Sequence, residues 1–203
     1  MDVTEDHEAG PDVATAARAL LGRTLVGHDV SVRITEVEAY GGSADPASHA
    51  FRRTPRSEIM FGPPWRLYVY RSYGIHHCAN VVTGPTEQGA AVLIRAGEVI
   101  AGHEIARSRR ATPPGTSDLR LARGPGNLAQ ALGITVDDKG RDLRDPAGPV
   151  RLDPAAEAVA SAEISAGPRV GVSAAADVPW RFWLTGHPTV SAYRRSPRAP
   201  RPR

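Results

Sequence analysis

Apolar residues recur at helical spacing in three short parts of the chain. Residues 12–22 (DVATAARALLG) place their Val, Ala and Leu side chains in one stripe, with Asp12 at the N-cap and Gly22 after the last turn. Residues 101–110 show a helical pattern as well, and a Gly-Pro pair opens a third such segment, 124–134. The pattern therefore predicts three short helices.

Alternation of apolar and polar positions predicts β-strands in much of the remaining sequence. Thr24–Gly27 and residues 29–40 are typical of a hairpin, and we expect residues 66–84 and 89–100 to form two strands of a central sheet. Further short strands are predicted within 150–175 and at "WRFWLTG". No internal repeat and no break in composition indicates a second domain.

The segments without periodicity differ in their composition. Residues 41–65 form a long polar loop rich in Gly, Pro and Ser, and loops of this length are usually functional or disordered. Residues 1–11 are predicted to be a disordered tail, and residues 193–203 (YRRSPRAPRPR) a basic, proline-rich and disordered one. The folded domain is accordingly predicted to span residues 12–192.

Size and composition limit the class of protein. The chain has 203 residues, enough for one domain with a substantial core, and no stretch approaches the roughly 20 apolar residues of a membrane span. The acidic N-terminus does not resemble a signal peptide, and the lone Cys78 cannot form an internal disulfide. We therefore expect a cytoplasmic protein without contact to a membrane.

The charge of the chain comes mostly from arginine. Lys139 is the only lysine among 25 basic residues, so 24 are arginine, while the net charge is only +3. A GC-rich genome, which also favours Ala, Gly and Pro, accounts for most of this bias. Arginine forks are also suited to phosphate contacts, and both explanations can hold together.

Two carboxylates and a phenol stand at the end of the strand that contains "TEVEAYGG". Strict alternation places Val30, Val32 and Ile34 on one face together with Glu36, Glu38 and Tyr40. Such carboxylates are either solvated at the end of the strand or held in a pocket that tunes one of them as a general base. The pattern alone does not distinguish the two glutamates.

Tyrosines cluster in "LYVYRSYG", where Tyr68 and Tyr70 share a strand face and Tyr73 precedes Gly74 at a turn. Core packing is one interpretation, and a stacking platform for a flat ring is the other. The neighbouring "HHC" lacks the spacing of a zinc site, and the sequence contains no P-loop, GxGxxG or GxSxG motif. Lys139 lies in a predicted turn, which argues against a lysine nucleophile.

Taken together, these segments resemble the mammalian-type alkyladenine (3-methyladenine) DNA glycosylase family. The resemblance runs from about Val13 to Ser191. Its carriers, in order, are "ALLGRTLV", "ITEVEAYGG", His49, "TPRSEIMF", "LYVYRSYG", "CAN", "VLIRA", "RGPGNLAQALGI", "RVGV" and "WRFWLTGHPTVS". Each motif is weak alone, but ten in the same order are highly specific. We predict a single α+β domain with a curved, mainly antiparallel sheet and short surrounding helices.

The resemblance implies which glutamate is catalytic. The glutamate of the E-A-Y motif, Glu38, would be the general base that activates a water for attack on C1′ of the deoxyribose. Arg95 of "LIRA" and the main-chain carbonyl of Val170 match positions that help to hold this water. Glu36 has no role in this scheme, so we expect Glu38→Gln to abolish activity and Glu36→Gln mostly to spare it.

The resemblance also implies how the damaged base is held. Because the duplex hides its sugar carbon, the target nucleotide must leave the stack. The base would lie between Tyr40 and His49 on one side and Tyr70 on the other, and Asn80 would disfavour normal guanine by crowding its exocyclic amine. The gap left in the duplex would be filled by the side chain of Tyr73.

The loop beside the pocket carries arginines that suit the DNA backbone. We expect Arg52, Arg53 and Arg56 to contact phosphates. Further candidates, which a solvated basic face also explains, are the arginines at 107, 109, 110, 120 and 123. The C-terminal tail would add salt-sensitive attraction.

The expected function is removal of alkylated or deaminated purines from duplex DNA by hydrolysis of the N-glycosidic bond, leaving an abasic site without strand cleavage. The candidate lesions are 3-methyladenine, 7-methylguanine, hypoxanthine and ethenoadenine. We expect a nucleoid-associated monomer with double-stranded DNA as its partner and without metal or cofactor. The alternatives are a non-catalytic nucleic-acid-binding module on the same fold and a small-molecule hydrolase that uses the carboxylates.

Overall fold

The computed structural model describes residues 12–153 and 159–201. The first predicted helix is confirmed as α1 (Val13–Leu20), whose N-cap Asp12 accepts hydrogen bonds from the backbone N–H groups of Ala14 and Thr15. The other two are confirmed as α2 (His103–Arg110) and α3 (Pro125–Leu132). Residues 1–11, predicted to be a disordered tail, lie outside the described residues.

Eight strands form one antiparallel sheet in the described chain. In chain order they are β1 (Thr24–Gly27), β2 (Val30–Gly41), β3 (Leu67–Ser72), β4 (His76–Thr83), β5 (Ala90–Ala101), β6 (Val150–Leu152), β7 (Ile164–Gly167) and β8 (Arg181–Leu184). The spatial order is β3-β4-β5-β2-β1-β6, and β8 pairs with both β2 and β7. The predicted α+β class with a curved antiparallel sheet in a single domain is confirmed.

One predicted strand is in fact a hairpin. Residues 66–84 divide into β3 and β4, which pair in antiparallel register from Leu67↔Val81 to Ser72↔His76. Tyr73 and Gly74 both have positive φ, +49° and +70°, and Ile75 N–H donates to Ser72 O. Positive φ at both central positions is the signature of a type I′ turn, which reverses the chain at Tyr73.

A β-bulge changes which face of β2 carries the carboxylates. The register between β2 and β5 shifts between Ile34 and Glu36 and again between Glu36 and Val37. A bulge inserts an extra residue, so the inward positions change from even to odd numbers. The side chains of β2 in the main core are Val30, Val32, Ile34, Val37 and Ala39.

The predicted shared face is therefore wrong beyond Ile34. After the bulge, Glu36, Glu38 and Tyr40 point away from the main core, toward the opposite side of the sheet.

Apolar side chains pack on both faces of the sheet. The main core joins one face to α1 and α3, with Leu20, Leu25, Leu128 and Leu132 among its members. A smaller cluster on the β3–β4–β5 part contains Ala50, Met60, Phe61, Tyr68, Val82 and Ala91. The segment 41–65 contributes to this cluster and contains three short 3₁₀ turns, Gly42–Ala44, His49–Phe51 and Glu58–Phe61. It therefore covers the second face of the sheet as a packed structure.

The short strands predicted within 150–175 and at "WRFWLTG" are confirmed as β6, β7 and β8. Residues 193–201 have no helix or strand, but Arg194 O accepts a hydrogen bond from Gly171 N–H and Arg195 pairs with Asp177. The boundary at 192 and the disorder of the tail stay predictions. None of the helices in the described residues is long and apolar enough to cross a membrane.

Candidate active site

The carboxylate of Glu38 is completely buried, and three donors contact its two oxygens. Val170 N–H donates to Oε1 at 2.7 Å, and Tyr40 Oη donates to Oε2 at 2.8 Å. Nη1 of Arg95, across the sheet on β5, lies 3.3 Å from Oε1. These contacts hold the carboxylate in one orientation and compensate its charge away from bulk water.

Tyr40 connects Glu38 to the neighbouring cleft. Burial, and then the adjacent carboxylate of Glu38, raise the pKa of the Tyr40 phenol well above its usual value of 10.0. The phenol therefore stays protonated and keeps donating to Glu38 at any physiological pH. The guanidinium carbon of Arg169 lies 4.8 Å from the centroid of the Tyr40 ring.

Glu36 is also completely buried but faces a different set of groups. Its Oε1 accepts from Arg95 Nε at 2.9 Å and from Arg181 Nε at 2.8 Å. Ser191 donates to it twice, through its backbone N–H at 2.7 Å and through Oγ at 2.9 Å. Because these four hydrogen bonds saturate the carboxylate, Glu36 has little capacity left to act as a base.

Arg95 lies between the two glutamates. Its Nε contacts Glu36 and its Nη1 contacts Glu38, while the side chain is only 8% exposed. Burial opposes the charge, but the carboxylates of Glu38 and Glu36 outweigh it and raise the pKa of Arg95. Arg95 is therefore permanently charged, and Glu36 fixes the guanidinium that contacts Glu38.

A second buried ion pair fixes the backbone on both sides of Glu38. Arg169, which is not solvent-exposed, contacts the carboxylate of Asp45 through both terminal nitrogens and donates to Ala39 O at 2.9 Å. Asp45 in turn accepts from Gly41 N–H. The pair thus links the end of β2 to the residue before Val170, and so holds the N–H group that contacts Glu38.

An open cleft of about 410 Å³ lies beside Glu38. Four of the residues predicted to hold the base line it: Tyr40, His49, Tyr70 and Asn80. Val170 and Tyr73 line it as well. The structure thus brings the predicted base-binding residues, the predicted wedge Tyr73 and the predicted catalytic residue Val170 to one cavity. Glu38 does not line this cavity but contacts Tyr40 and Val170, which do.

Two of the three rings predicted to enclose the base, those of His49 and Tyr70, contact each other. The ring centroids of His49 and Tyr70 are 4.6 Å apart with an interplanar angle of 76°. His49 Nδ1 also lies 3.0 Å from Tyr68 Oη. A base can stack between His49 and Tyr70 only after one of these rings has moved.

His49 is uncharged near neutral pH. Burial, and to a lesser extent the charge of Arg56, lower the pKa of its imidazole to about 4. Asn80 is 4% exposed, and its Nδ2 donates to Tyr68 O at 3.0 Å. Both side chains are therefore held by β3, where Tyr68 anchors one through its hydroxyl and the other through its carbonyl.

Tyr73 projects from the β3–β4 turn with 94% of its surface exposed. Neither burial nor packing explains an aromatic ring at this position, and solvent exposure of this extent is unusual for tyrosine. The turn holds the ring at the rim of the cleft. This position agrees with the predicted wedge, which stays a prediction.

The three arginines predicted to contact phosphates differ in their surroundings. Arg53 contacts Glu58 and Glu87, so its guanidinium is already paired. Arg56 lines the cleft, and its guanidinium carbon lies 5.0 Å from the centroid of the Tyr70 ring. Arg52 is exposed, and within residues 12–153 and 159–201 its side chain forms no hydrogen bond. Of the three, Arg52 has the surroundings that best suit the predicted phosphate contact.

Sequence reasoning missed several residues that support the site. Tyr68 and Ser191 form hydrogen bonds with the predicted residues His49 and Arg95, and Arg169 lies against the Tyr40 ring. Asp45 pairs with Arg169, and Arg181 contacts Glu36. Four of these five residues belong to motifs that carry the resemblance: Tyr68 to "LYVYRSYG", Arg169 to "RVGV", and Arg181 and Ser191 to "WRFWLTGHPTVS". Among the described residues, no group of three or more His, Cys, Asp or Glu side chains is arranged to hold a metal ion.

A family model described as "Methylpurine-DNA glycosylase (MPG)" matches residues 7–188. The chain belongs to the methylpurine-DNA glycosylase family. A protein of Nocardia farcinica named "Putative 3-methyladenine DNA glycosylase" is 56% identical over 98% of this chain and 96% of its own. Proteins of the same name from Mycobacterium bovis and Rhodococcus jostii are 53% and 52% identical over 96% and 98% of this chain. They cover 96% and 89% of their own lengths.

Membership in the methylpurine-DNA glycosylase family confirms the resemblance found in the sequence. It also confirms the enzyme class, a DNA glycosylase that hydrolyses N-glycosyl bonds, and the assignment to DNA repair. Within this family member the cleft, the buried Glu38 and the exposed Tyr73 lie on one side of the sheet.

Proposed function

We propose that this chain excises alkylated or deaminated purines from duplex DNA and leaves an abasic site without cutting the strand. The observation that carries the proposal is the environment of Glu38. Its carboxylate is buried, oriented by Val170 N–H and Tyr40 Oη, and joined by these two residues to the wall of the aromatic cleft. A general base needs such fixed geometry to act on a water at the sugar.

The proposed reaction is a hydrolysis at C1′ of the flipped nucleotide. Water forms the new C1′–O bond and gives one proton to Glu38, while the C1′–N bond breaks and the base takes its electron pair. Positive charge develops on the sugar in this step, and the anionic carboxylate stabilises it. Arg95 holds the carboxylate of Glu38 in place from the neighbouring strand β5, and we assign the Val170 carbonyl to positioning the water.

The charge of the leaving base decides how much help it needs. A cationic lesion such as 3-methyladenine or 7-methylguanine departs as a neutral base, whereas hypoxanthine and ethenoadenine depart more easily if protonated. A cation over an aromatic face gains about 0.5–2 kcal/mol, which favours the charged lesions between Tyr40 and Tyr70. The guanidinium of Arg56 over Tyr70 opposes this preference because it brings a like charge to the rim of the cleft.

Extrusion of the base is assigned to the turn that carries Tyr73. The exposed phenol would enter the duplex in place of the flipped nucleotide and reduce the cost of the lost stacking. Asn80, anchored to β3, would crowd the exocyclic amine of guanine and so reject the normal base. We infer a monomer that acts on chromosomal DNA in the cytoplasm, associated with the nucleoid.

The experiment that tests this proposal uses four duplexes, each with one hypoxanthine, ethenoadenine, 7-methylguanine or 3-methyladenine. Free base is quantified by mass spectrometry, and strand breaks are counted before and after alkali. We expect free modified purine from at least one duplex and breaks only after alkali. Release from none of them would refute the proposed activity, and breaks without alkali would refute simple hydrolysis.

A further inference from the structure

A second, basic pocket adjoins the buried group of Glu36, Glu38 and Arg95, which we call the catalytic cluster. It has a volume of about 380 Å³ and is lined by Arg120, Arg123, Asn127, Ser191, Ala192 and Arg194. Three of these six residues are arginines and none is acidic. The pocket is open to solvent, so a ligand of the opposite charge can reach it.

The arginines of this pocket have donors to spare. Within residues 12–153 and 159–201, Arg120, Arg123 and Arg194 form no ion pair with a carboxylate. Arg123 forms a hydrogen bond only through its Nε, which donates to Val190 O at 2.9 Å and thereby fixes the direction of the guanidinium. An arginine fork that is oriented but uncompensated is suited to a bidentate contact with a phosphate.

The first turn of α3 adds to the positive potential. Asn127, on this turn, belongs to the pocket wall, and its Nδ2 donates to Arg123 O at 2.8 Å. Gly124, at the N-cap, provides no side-chain acceptor for the first N–H groups of the helix. These groups and the helix dipole favour an anion at the same side of the pocket as Arg123.

The wall of the pocket is also the wall of the catalytic cluster. Ser191 lines the pocket, accepts from Arg95 Nη2 at 3.3 Å and donates to Glu36. Arg194 O accepts from the N–H of Gly171 at 2.9 Å, and Gly171 lines the cleft beside Val170. The basic pocket is therefore connected to the edge of the cleft through the contact between Arg194 and Gly171.

The turn with Tyr73 lies on the other side of the same helix end. A Cβ placed on Gly126 of α3 would lie 3.0 Å from the His76 side chain, the residue that begins β4 after the turn. The helix start thus contacts the segment that carries the wedge, while its neighbour Asn127 lines the basic pocket. The start of α3 therefore lies between the basic pocket and the β3–β4 hairpin.

We propose that the basic pocket binds one phosphodiester of the DNA strand whose damaged base occupies the cleft. The inference rests on the proposed function for the identity of the DNA, and it assigns the phosphate to Arg120, Arg123 and Arg194 with the start of α3. These residues hold the backbone, and they do not contact the reacting atoms. The contact is independent of base sequence, because a phosphate carries none.

The test compares Arg120→Gln, Arg123→Gln, Arg194→Gln and the triple variant with two exposed controls, Arg33→Gln and Arg144→Gln. Dissociation constants for an undamaged and a hypoxanthine duplex are measured at several salt concentrations. One lost phosphate contact reduces the slope of log K against log salt by about 0.9, so we expect this change in the triple variant. We expect about 3- to 10-fold weaker binding per single variant, equal on both duplexes, and no change in the controls.

A second measurement locates the phosphate. Duplexes with a single neutral methylphosphonate at successive positions around the lesion are titrated with the wild type and with Arg123→Gln. At one position the neutral group should weaken binding of the wild type and leave the variant unaffected, because both changes remove the same contact. Additive losses at every position would overturn the inference, as would an unchanged salt slope in the triple variant.

Single-turnover base release at saturating protein separates this inference from the proposed function. We expect the triple variant to reach the wild-type maximal rate within about twofold, because the phosphate contact acts in binding. A reduced maximal rate with unchanged affinity would overturn the inference and indicate that the arginines support Ser191 and Arg95. If no protein releases a base but the salt slopes differ as expected, the proposed activity fails and the phosphate pocket stands.

Discussion

Tyr40 Oη donates a hydrogen bond of 2.8 Å to Oε2 of Glu38, two residues earlier on the same strand. The bond ties the ring that lines the cleft to the carboxylate behind it, so that Tyr40 has two tasks, one for each end of its side chain. Its ring lines the cleft, while its hydroxyl orients the carboxylate of Glu38, the proposed general base.

Tyr40→Phe separates these two tasks, because it keeps the ring and removes only the hydroxyl. A hydrogen bond to a charged group contributes about 1.5–3 kcal/mol, so we expect the single-turnover rate to fall about 10- to 150-fold. The affinity for a lesion duplex should change little, since stacking is retained. A loss of affinity with an unchanged rate would contradict the role of the hydroxyl.

Glu36→Gln tests the support of Arg95. The substitution leaves the buried guanidinium groups of Arg95 and Arg181 with less compensating charge, so we expect the free energy of unfolding to fall by about 3–5 kcal/mol in urea titrations. Glu58→Gln is the matched control, because its pair with Arg53 is exposed and should contribute about 1 kcal/mol or less. The expectation from the sequence, that Glu36→Gln mostly spares activity, is a separate one and stays a prediction. Equal stability of the two variants would contradict the expected loss of stability.

His49 gives a prediction for pH. Its folded-state pKa of about 4 lies below the usual histidine pKa of 6.5, so between these values the unfolded chain binds a proton that the folded chain does not. The contribution of neutral His49 to stability is therefore complete above pH 6.5 and is lost as the pH falls toward 4. NMR titration of the ring, assigned with His49→Asn, should show no protonation from pH 8 to 5.5. A midpoint near 6.5 would contradict the burial of His49.

Tyr73→Ala tests the wedge without disturbing the fold. Because the side chain is 94% exposed, we expect the free energy of unfolding to change by no more than about 0.5 kcal/mol. Stacking of one aromatic ring on a base contributes about 1–3 kcal/mol, so extrusion should become about one to two orders of magnitude less favourable. The fluorescence of ethenoadenine in a duplex reports this step, with Leu119→Ala as a control. Unchanged extrusion would exclude the wedge.

Local sequence signals were sufficient for the secondary structure. Asp12, the Gly-Pro pair before α3 and the period-two alternation of β2 and β5 act through neighbouring residues, and each element formed where the pattern indicated. The sequence indicated a turn at Tyr73 and Gly74 but assigned residues 66–84 to one strand, so the pairing of β3 with β4 was not predicted. The turn has positive φ at the tyrosine as well as at the glycine, and residue type suggests this conformation only for the glycine.

The parts that escaped prediction depend on distant contacts. The bulge near Glu36 changes which residues of β2 face the main core. No residue type in that segment predicts it, because it arises from pairing with β5. Likewise, Glu36 is saturated by Arg95, Arg181 and Ser191, which lie 59, 145 and 155 positions away in the chain. A family motif can identify Glu38, but only the fold shows why Glu36 is occupied elsewhere.

The most direct test of the central claim is the single-turnover rate of base release by Glu38→Gln. It is measured on the duplex from which the wild type releases the modified base fastest. Glutamine keeps the size of the side chain but cannot accept the proton from water, and general-base catalysis contributes about 10²- to 10⁴-fold. We predict a loss of at least that size with unchanged affinity, while Glu104→Gln, which is solvent-exposed, keeps the full rate. Release by folded Glu38→Gln at the wild-type rate would contradict the assignment of Glu38 as the catalytic base.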